Sequence, residues 1–505
     1  MSENRTNKSI KNIVFNFGNQ IITLILSFVS RSVFIYTLGI EYLGINGLFS
    51  DVLGLLSMAD LGFNTAMIYS FYKPLSDKDE RKLSALIELY RKIYYIIASI
   101  IAIIGIAITP VIRVIVKTEK DIPLLEVYYV FALAGVVISY LFVYKTSIIT
   151  ADQKNYIITK ITMITSIIKT IIQMISLLLF RNFILYLAVN LIFNFLNNII
   201  ASRMAVVLYP FIKQKEKLDN FEIKEIFANL KSVFIYKISS VLMTATDNII
   251  ISVICGTIIV GYYSNYLMIT NKIVQLISLV FTSVTASIGN LVVKENASKR
   301  YEVFNIEQSV SFVICALVIP CFNNLVNDLI SVWLGSEFII GDYFSVAVSL
   351  NMYLACVCQP IWSYREATGL YTKTKWIMAL AAILNIFFSI ILGLLIGVKG
   401  IIFASIIARL LTYIWYEPKL LFSCFFDRSC LEYFIRIILN IFLIVINSIM
   451  LYFITSLIIV ECWSDFIKKS IISFGIVLLI TFIVYRKNEG FSFIIKKFTK
   501  SHMKI

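Results

Sequence analysis

The chain has 505 residues, 59% of them hydrophobic and only 15% charged, with a mean hydropathy of +0.87. So much apolar surface cannot be hidden in the core of a soluble domain, which leaves a polytopic membrane protein. The net charge of +15 would point to nucleic acid in a soluble chain. Here the basic residues fall in short connections between apolar runs, the positive-inside pattern, so no nucleic-acid partner is expected.

The first predicted span, near 13–38, carries Asn16, Asn19, Gln20, Thr23, Ser27, Ser30 and Arg31 at steps of three or four, one face of a helix. An unpaired arginine at membrane depth costs roughly 2.5–3.5 kcal/mol on insertion scales, so this face must look into protein or water. After Gly39, Gly44 and Gly47, a second span near 43–70 contains Asp51 and Asp60. Further spans are predicted near 92–116, 124–147, 156–180 and 184–209. A polar stretch from Lys213 to Lys231 follows, with Leu218, Phe221, Ile226, Leu230 and Val233 at helical spacing, as in a helix lying on the membrane surface. Eight more spans come near 233–255, 259–288, 307–333, 343–364, 376–398, 400–421, 431–458 and 467–485.

The pattern predicts an all-α polytopic membrane protein of about 14 transmembrane helices. Its expected parts are an N-terminal bundle (1–210), a cytoplasmic linker helix (211–232), a C-terminal bundle (233–422), and two last spans with a basic tail (423–505). With both termini in the cytoplasm, inside segments hold about 34 of the 45 Lys and Arg, outside loops about 7 and spans about 4. The halves echo one another. Arg31 precedes Gly39-Ile-Glu-Tyr-Leu-Gly44 as Asp247 precedes Gly256-Thr-Ile-Ile-Val-Gly261, in the same orientation, which indicates parallel repeats about an axis along the membrane normal.

Other spans carry polar stripes: Thr162, Ser166, Lys169, Gln173 and Ser176 on the fifth, and Asn190, Asn194, Asn197 and Ser202 on the sixth. The seventh has Tyr236, Ser240, Thr244 and Asp247, and the eighth Asn265, Lys272, Gln275 and Thr282. Ser, Thr and Asn in such places often only join helices. The ionised groups are harder to dismiss. Arg31, Lys169, Lys272 and Arg409 are buried cations, and Asp51, Asp60 and Asp247 buried anions. Arg31 could form a structural bridge with Asp60 or Asp247, yet four cations at depth favour an anionic cargo. Arg113, Lys237 and Arg365-Glu366 lie near span ends, where snorkelling is the simpler reading. The eight cysteines show no zinc spacing beyond a weak Cys356-Val-Cys358, and the one histidine, His502, is in the tail, so no metal or cofactor is expected. Nor is there a nucleotide-binding fingerprint or catalytic constellation.

Arg31-Ser-Val-Phe-Ile-Tyr-Thr-Leu-Gly39, Glu41-Tyr-Leu-Gly-Ile-Asn-Gly-Leu-Phe49, Ala59-Asp-Leu-Gly62 and Thr65-Ala66 resemble the amino-terminal signature of bacterial polysaccharide biosynthesis flippases. These belong to the multidrug/oligosaccharidyl-lipid/polysaccharide exporter superfamily. Thr246-Asp-Asn-Ile-Ile-Ile-Ser252 with Gly261-Tyr-Tyr-Ser-Asn-Tyr266 resembles their second-half signature. The resemblance implies a MATE-like, V-shaped pair of pseudo-symmetric six-helix bundles plus two accessory helices, in a bacterial plasma membrane. It implies a cargo of polyprenyl-diphosphate-linked oligosaccharide, turned between leaflets for surface polysaccharide assembly. Contact with a polysaccharide polymerase and glycosyltransferases would fit that role. In related lipid II flippases, cations on the first, second and eighth spans meet the diphosphate. Arg31 and Lys272 match by span and face, whereas the second span here has Asp51 and Asp60 in place of an arginine. On this reading the central cavity presents Arg31, Lys272, Lys169, Arg409, Asn194, Asn265 and Gln275. Asp60, Asp247 and Asp51 are its carboxylates, with a proton or sodium ion as candidate coupling ion. The rival readings are a multidrug cation antiporter of the same superfamily and a membrane-embedded glycan polymerase or ligase.

Overall fold

The computed structural model describes residues 5–60, 63–118, 121–214 and 216–486, and among these all regular structure is helical. The tail beyond Arg486 lies outside the described residues, as do the side chains of Asn16, Asp60, Phe221, Ile226, Leu230 and Val233. In chain order the helices are α1 (Arg5–Leu38), α2 (Ile40–Leu56), α3 (Phe63–Asp77), α4 (Glu80–Ile108), the short α5 (Ile112–Ile115), α6 (Leu125–Tyr140) and α7 (Val143–Ala151). Next come α8 (Asn155–Phe180), α9 (Phe183–Leu208), α10 (Asn220–Cys255), α11 (Thr257–Thr282), α12 (Thr285–Lys294) and α13 (Ala297–Leu334). The remainder are α14 (Asp342–Val357), α15 (Gln359–Thr368), α16 (Tyr371–Ile396), α17 (Val398–Leu411), α18 (Tyr413–Leu421), α19 (Leu431–Thr455) and α20 (Trp463–Tyr485).

Among the described residues, twelve helical segments are long and apolar enough to cross a membrane, and α6 with α7, bent by 51°, makes a thirteenth. The remaining predicted span, 43–70, is assembled from α2, a 3-10 turn at Ser57–Asp60, and α3. Gly54, Ser57 and Asp60 are poor helix formers, and the Ser57 hydroxyl returns to the Leu53 carbonyl at 2.8 Å. Helices also outrun their apolar runs. Asp79 caps α4 by accepting from Lys82 N at 2.9 Å, and Asn296 caps α13 by accepting from Lys299 N at 3.0 Å, so both begin well before their apolar cores. The stretch expected as a linker helix is continuous with the seventh span, in the single helix α10.

The chain divides into two compact units, Met1–Ser264 and Asn265–Ile505, the division falling within α11. In the first unit α1 packs on α8, α8 and α6 on α9, and α10 on α2. One aromatic knot holds several of these together: Phe183 meets Tyr42, Tyr128 and Phe34 with ring centroids at 5.3, 4.9 and 5.9 Å. In the second unit α13 is the central element, against α14, α19 and α20. Near the N-terminal end of α13, Phe304 packs with Tyr364 of α15 against Phe422, Phe426 and Tyr433. Amides fasten the last two helices to it. Asn440 donates to the Phe312 carbonyl at 3.1 Å, Asn447 to the Ala316 carbonyl at 3.4 Å, and Asn324 to Ser473 at 3.1 Å. Conversely, Leu394, Leu395, Leu179 and Ile103 are largely uncovered, the surface expected of helices in lipid.

Candidate functional site

α1 reaches two groups of helices within the first unit. Arg31 Nη1 donates to Ser264 Oγ on α11 at 2.9 Å. In the same unit, Asn248 Nδ2 on α10 donates to Asp51 Oδ2 on α2 at 2.6 Å. Asp247 and Asn248 are both buried there. Gly39 (φ +91°) and Gly256 (φ +92°) occupy the turns before α2 and α11, a left-handed backbone that an L side chain resists. At the offset that aligns these glycines, Arg31 matches Asn248. Each therefore reaches from its own helix to the second helix of the other repeat.

α1 also packs on α8 and touches α9. Phe34, one turn beyond Arg31, packs edge-on to Tyr186 with centroids 5.0 Å apart. Gln173 Nε2 donates to the Tyr186 carbonyl at 3.1 Å, Lys169 Nζ to Asn190 Oδ1 at 3.1 Å, and Thr165 Oγ1 to Asn197 Oδ1 at 2.9 Å. The stripes on the fifth and sixth spans thus close on one another like a zipper. Asn194 turns toward α6, where a methyl on Gly135 would lie 3.6 Å from its amide.

In the second unit, α11 carries buried Asn265, half-buried Lys272 and exposed Gln275, and α17 carries half-buried Arg409, whose Nε is buried without a hydrogen-bond partner among the described residues. Arg365 does not snorkel. Its Nη1 lies 3.0 Å from both Glu417 carboxylate oxygens, with 8% and 3% of the two side chains exposed, and Trp362 and Tyr371 flank its guanidinium. Arg113 is likewise tied, to Asp121 at 2.6 Å and to Glu126. Ser264, Asn248 and Glu417 are not singled out by the sequence, since each gains meaning only from a partner distant in the chain.

Residues 9–286 match the family described as polysaccharide biosynthesis protein, more than half of the chain. The chain belongs to that family. Its fold is that of flippases and transporters of the multidrug/oligosaccharidyl-lipid/polysaccharide superfamily. A structure of the lipid II flippase MurJ in an inward closed conformation is similar, with a TM-score of 0.66 at 15% identity, covering 94% of this chain and 98% of that one. An inward-facing multidrug resistance MATE family transporter gives 0.59 at 14%, covering 80% and 97%. A mutant of the Vibrio cholerae MATE transporter VcmN gives 0.55 at 14%, covering 84% and 99%. No curated protein matches the sequence.

Proposed function

We propose that this polysaccharide-biosynthesis family member is a flippase. It turns a polyprenyl-diphosphate-linked oligosaccharide repeat unit from the inner to the outer leaflet of a bacterial plasma membrane by alternating access, for surface polysaccharide assembly. The observation that carries the reading is the family match, together with the two cations Arg31 and Lys169 on membrane-length helices of the first unit.

A bare phosphate charge in hydrocarbon costs tens of kcal/mol by idealised estimates, and each unsatisfied sugar hydroxyl adds several. In each unit, cations held by the helices are the candidate replacement partners: Arg31 and Lys169 in the first, Lys272 and Arg409 in the second. Asn265 and Gln275 of the second unit are the candidates for the sugar hydroxyls, whereas Asn194 is turned toward α6. With an interior-negative membrane, carrying two phosphate charges outward gains about 4–5 kcal/mol per 100 mV. Asp51, Asp60 and Asp247 are the carboxylates available to a proton or sodium ion.

Arg31→Ala and Lys272→Ala should each abolish surface polysaccharide while the protein stays in the membrane. Normal export by both variants would overturn the cationic reading. Overexpression that confers drug resistance without affecting polysaccharide would favour a multidrug antiporter instead.

A further inference from the structure

We infer that the first unit binds an anionic glycerophospholipid on its lipid-facing surface, with Arg91 and Lys92 on α4 and Lys145 on α7 holding the headgroup. The bound molecule is a resident lipid of the bilayer, so the inference stands whatever the cargo is.

Arg91 and Lys92 stand immediately before the apolar run 93–108, and Lys145 comes just after the run 130–143 that leads from α6 into α7. The chain crosses and returns between them, so all three cations belong to one membrane edge, at the depth of lipid phosphates. The fold draws them together. α4 packs on α7, and Arg91 is near enough to both Tyr144 and Lys145 to interact with them electrostatically. Neighbouring side chains hold the cluster in shape: Arg91 Nη2 donates to Glu88 Oε1 at 2.7 Å, and Lys145 Nζ stands 5.6 Å from the centre of the Tyr144 ring. Tyr95 meets Tyr144 edge-on with centroids 6.1 Å apart, a pair of amphipathic rings suited to the headgroup layer.

A single lysine at a span end would need no explanation beyond snorkelling. Here Glu88 is engaged by Arg91, and among the described residues Lys92 and Lys145 have no carboxylate within ion-pair distance. The cluster therefore keeps an excess of positive charge, which complements a phosphodiester. Two of its cations are already fixed, one by a carboxylate and one by a ring, which lowers the entropic cost of binding.

Beyond this cluster the same face of α4 is apolar and uncovered. Lys92, Ile96, Ser99 and Ile103 recur at steps of four, three and four, and Ile96, Ile100 and Ile103 are 59%, 43% and 69% exposed. From Lys92 to Ile103 the helix rises about 16 Å, close to the ~15 Å of hydrocarbon in one leaflet. A phosphate held at Lys92 can thus lay its acyl chains along the strip. Free phosphate would use the cations alone.

The test titrates the full chain in detergent with phosphatidylglycerol, phosphatidylcholine or glycerol phosphate and reads bound molecules by native mass spectrometry. Wild type should retain phosphatidylglycerol about 10-fold more tightly than phosphatidylcholine or better. Lys92→Met with Lys145→Met should weaken phosphatidylglycerol about 10- to 30-fold and leave phosphatidylcholine unchanged. Lys92→Met alone, at an exposed position, should weaken it about 5-fold, so the result does not hinge on how Lys145 packs against Tyr144. Lys160→Met with Arg203→Met removes two exposed cations from α8 and α9 and should stay within about twofold of wild type. Glycerol phosphate should not compete. Equal weakening by the α8–α9 variant would reduce the site to diffuse surface charge and overturn the inference. Equal binding of phosphatidylcholine, retention of neither lipid, or competition by glycerol phosphate would overturn it as well. So would displacement of phosphatidylglycerol by an equal concentration of polyprenyl diphosphate, which would make the strip part of the cargo path.

Discussion

Gly44 and Gly261 meet backbone to backbone within the first unit. A methyl on Gly44 would sit 3.1 Å from Gly261 N and closer still to the Thr257 carbonyl, while one on Gly261 would sit 2.6 Å from the Ile40 carbonyl. Both glycines are required because rigid backbone, not a flexible side chain, occupies the space. Gly44→Ala and Gly261→Ala should each force α2 and α11 apart and destabilise the protein by about 1–3 kcal/mol. Gly47→Ala, where nothing lies within 4 Å, should be neutral. Thermal unfolding of the three purified variants checks this, and equal stability for all three would refute the close crossing.

The Asn248–Asp51 bond makes a second expectation. Asn248→Leu leaves a carboxylate without its amide donor in a low-dielectric setting, at a cost of about 1–3 kcal/mol. Asp51→Leu with Asn248→Leu removes both polar groups and should recover much of that loss. A double-mutant cycle on unfolding free energies should therefore give a coupling well above zero. Additive losses would mean that the two side chains do not act as a pair.

These contacts also show where sequence reading stops. The apolar runs mark the helices because twenty apolar residues in a row have few other uses, and the matching glycine turns reveal the repeat. Arg31 stands out because a charge at membrane depth is costly. But Ser264 lies 233 residues from Arg31, and Asn248 lies 197 residues from Asp51. No local periodicity encodes such partners. Arg365 misleads for a related reason: at a span end it looks able to reach water, and only the fold brings Glu417 to it. The helix starts at Glu80 and Ala297 escape the apolar pattern because caps and polar turns continue a helix beyond its apolar stretch.

The amides that fasten α19 to α13 should matter for attachment rather than for the bundle. Asn440 bonds both the Phe312 carbonyl and the Tyr485 hydroxyl, the latter at 2.9 Å on α20. Asn440→Leu with Asn447→Leu should remove about 1–2 kcal/mol of docking, since interhelical hydrogen bonds in membranes are individually modest. Limited proteolysis between α13 and α19 should then become faster for α19 and α20, with the first unit's unfolding unchanged. Identical proteolysis patterns would show that apolar packing alone holds the last two helices.

The Arg365–Glu417 pair gives the sharpest contrast between breaking and replacing a buried charge. Its carboxylate accepts both contacts from a guanidinium flanked by Trp362 and Tyr371, so neither charge has water to fall back on. Glu417→Ala should cost about 3–5 kcal/mol, because Arg365 would be left buried with an uncompensated charge. Arg365→Met with Glu417→Leu removes both charges and keeps the volume, so it should be close to wild type in stability or above it. If the double variant then exports polysaccharide normally, the pair serves packing between α15 and α18. If it is stable but inactive, the charges themselves are needed for transport. A double variant as unstable as Glu417→Ala would show that the pair contributes net stability beyond its shape.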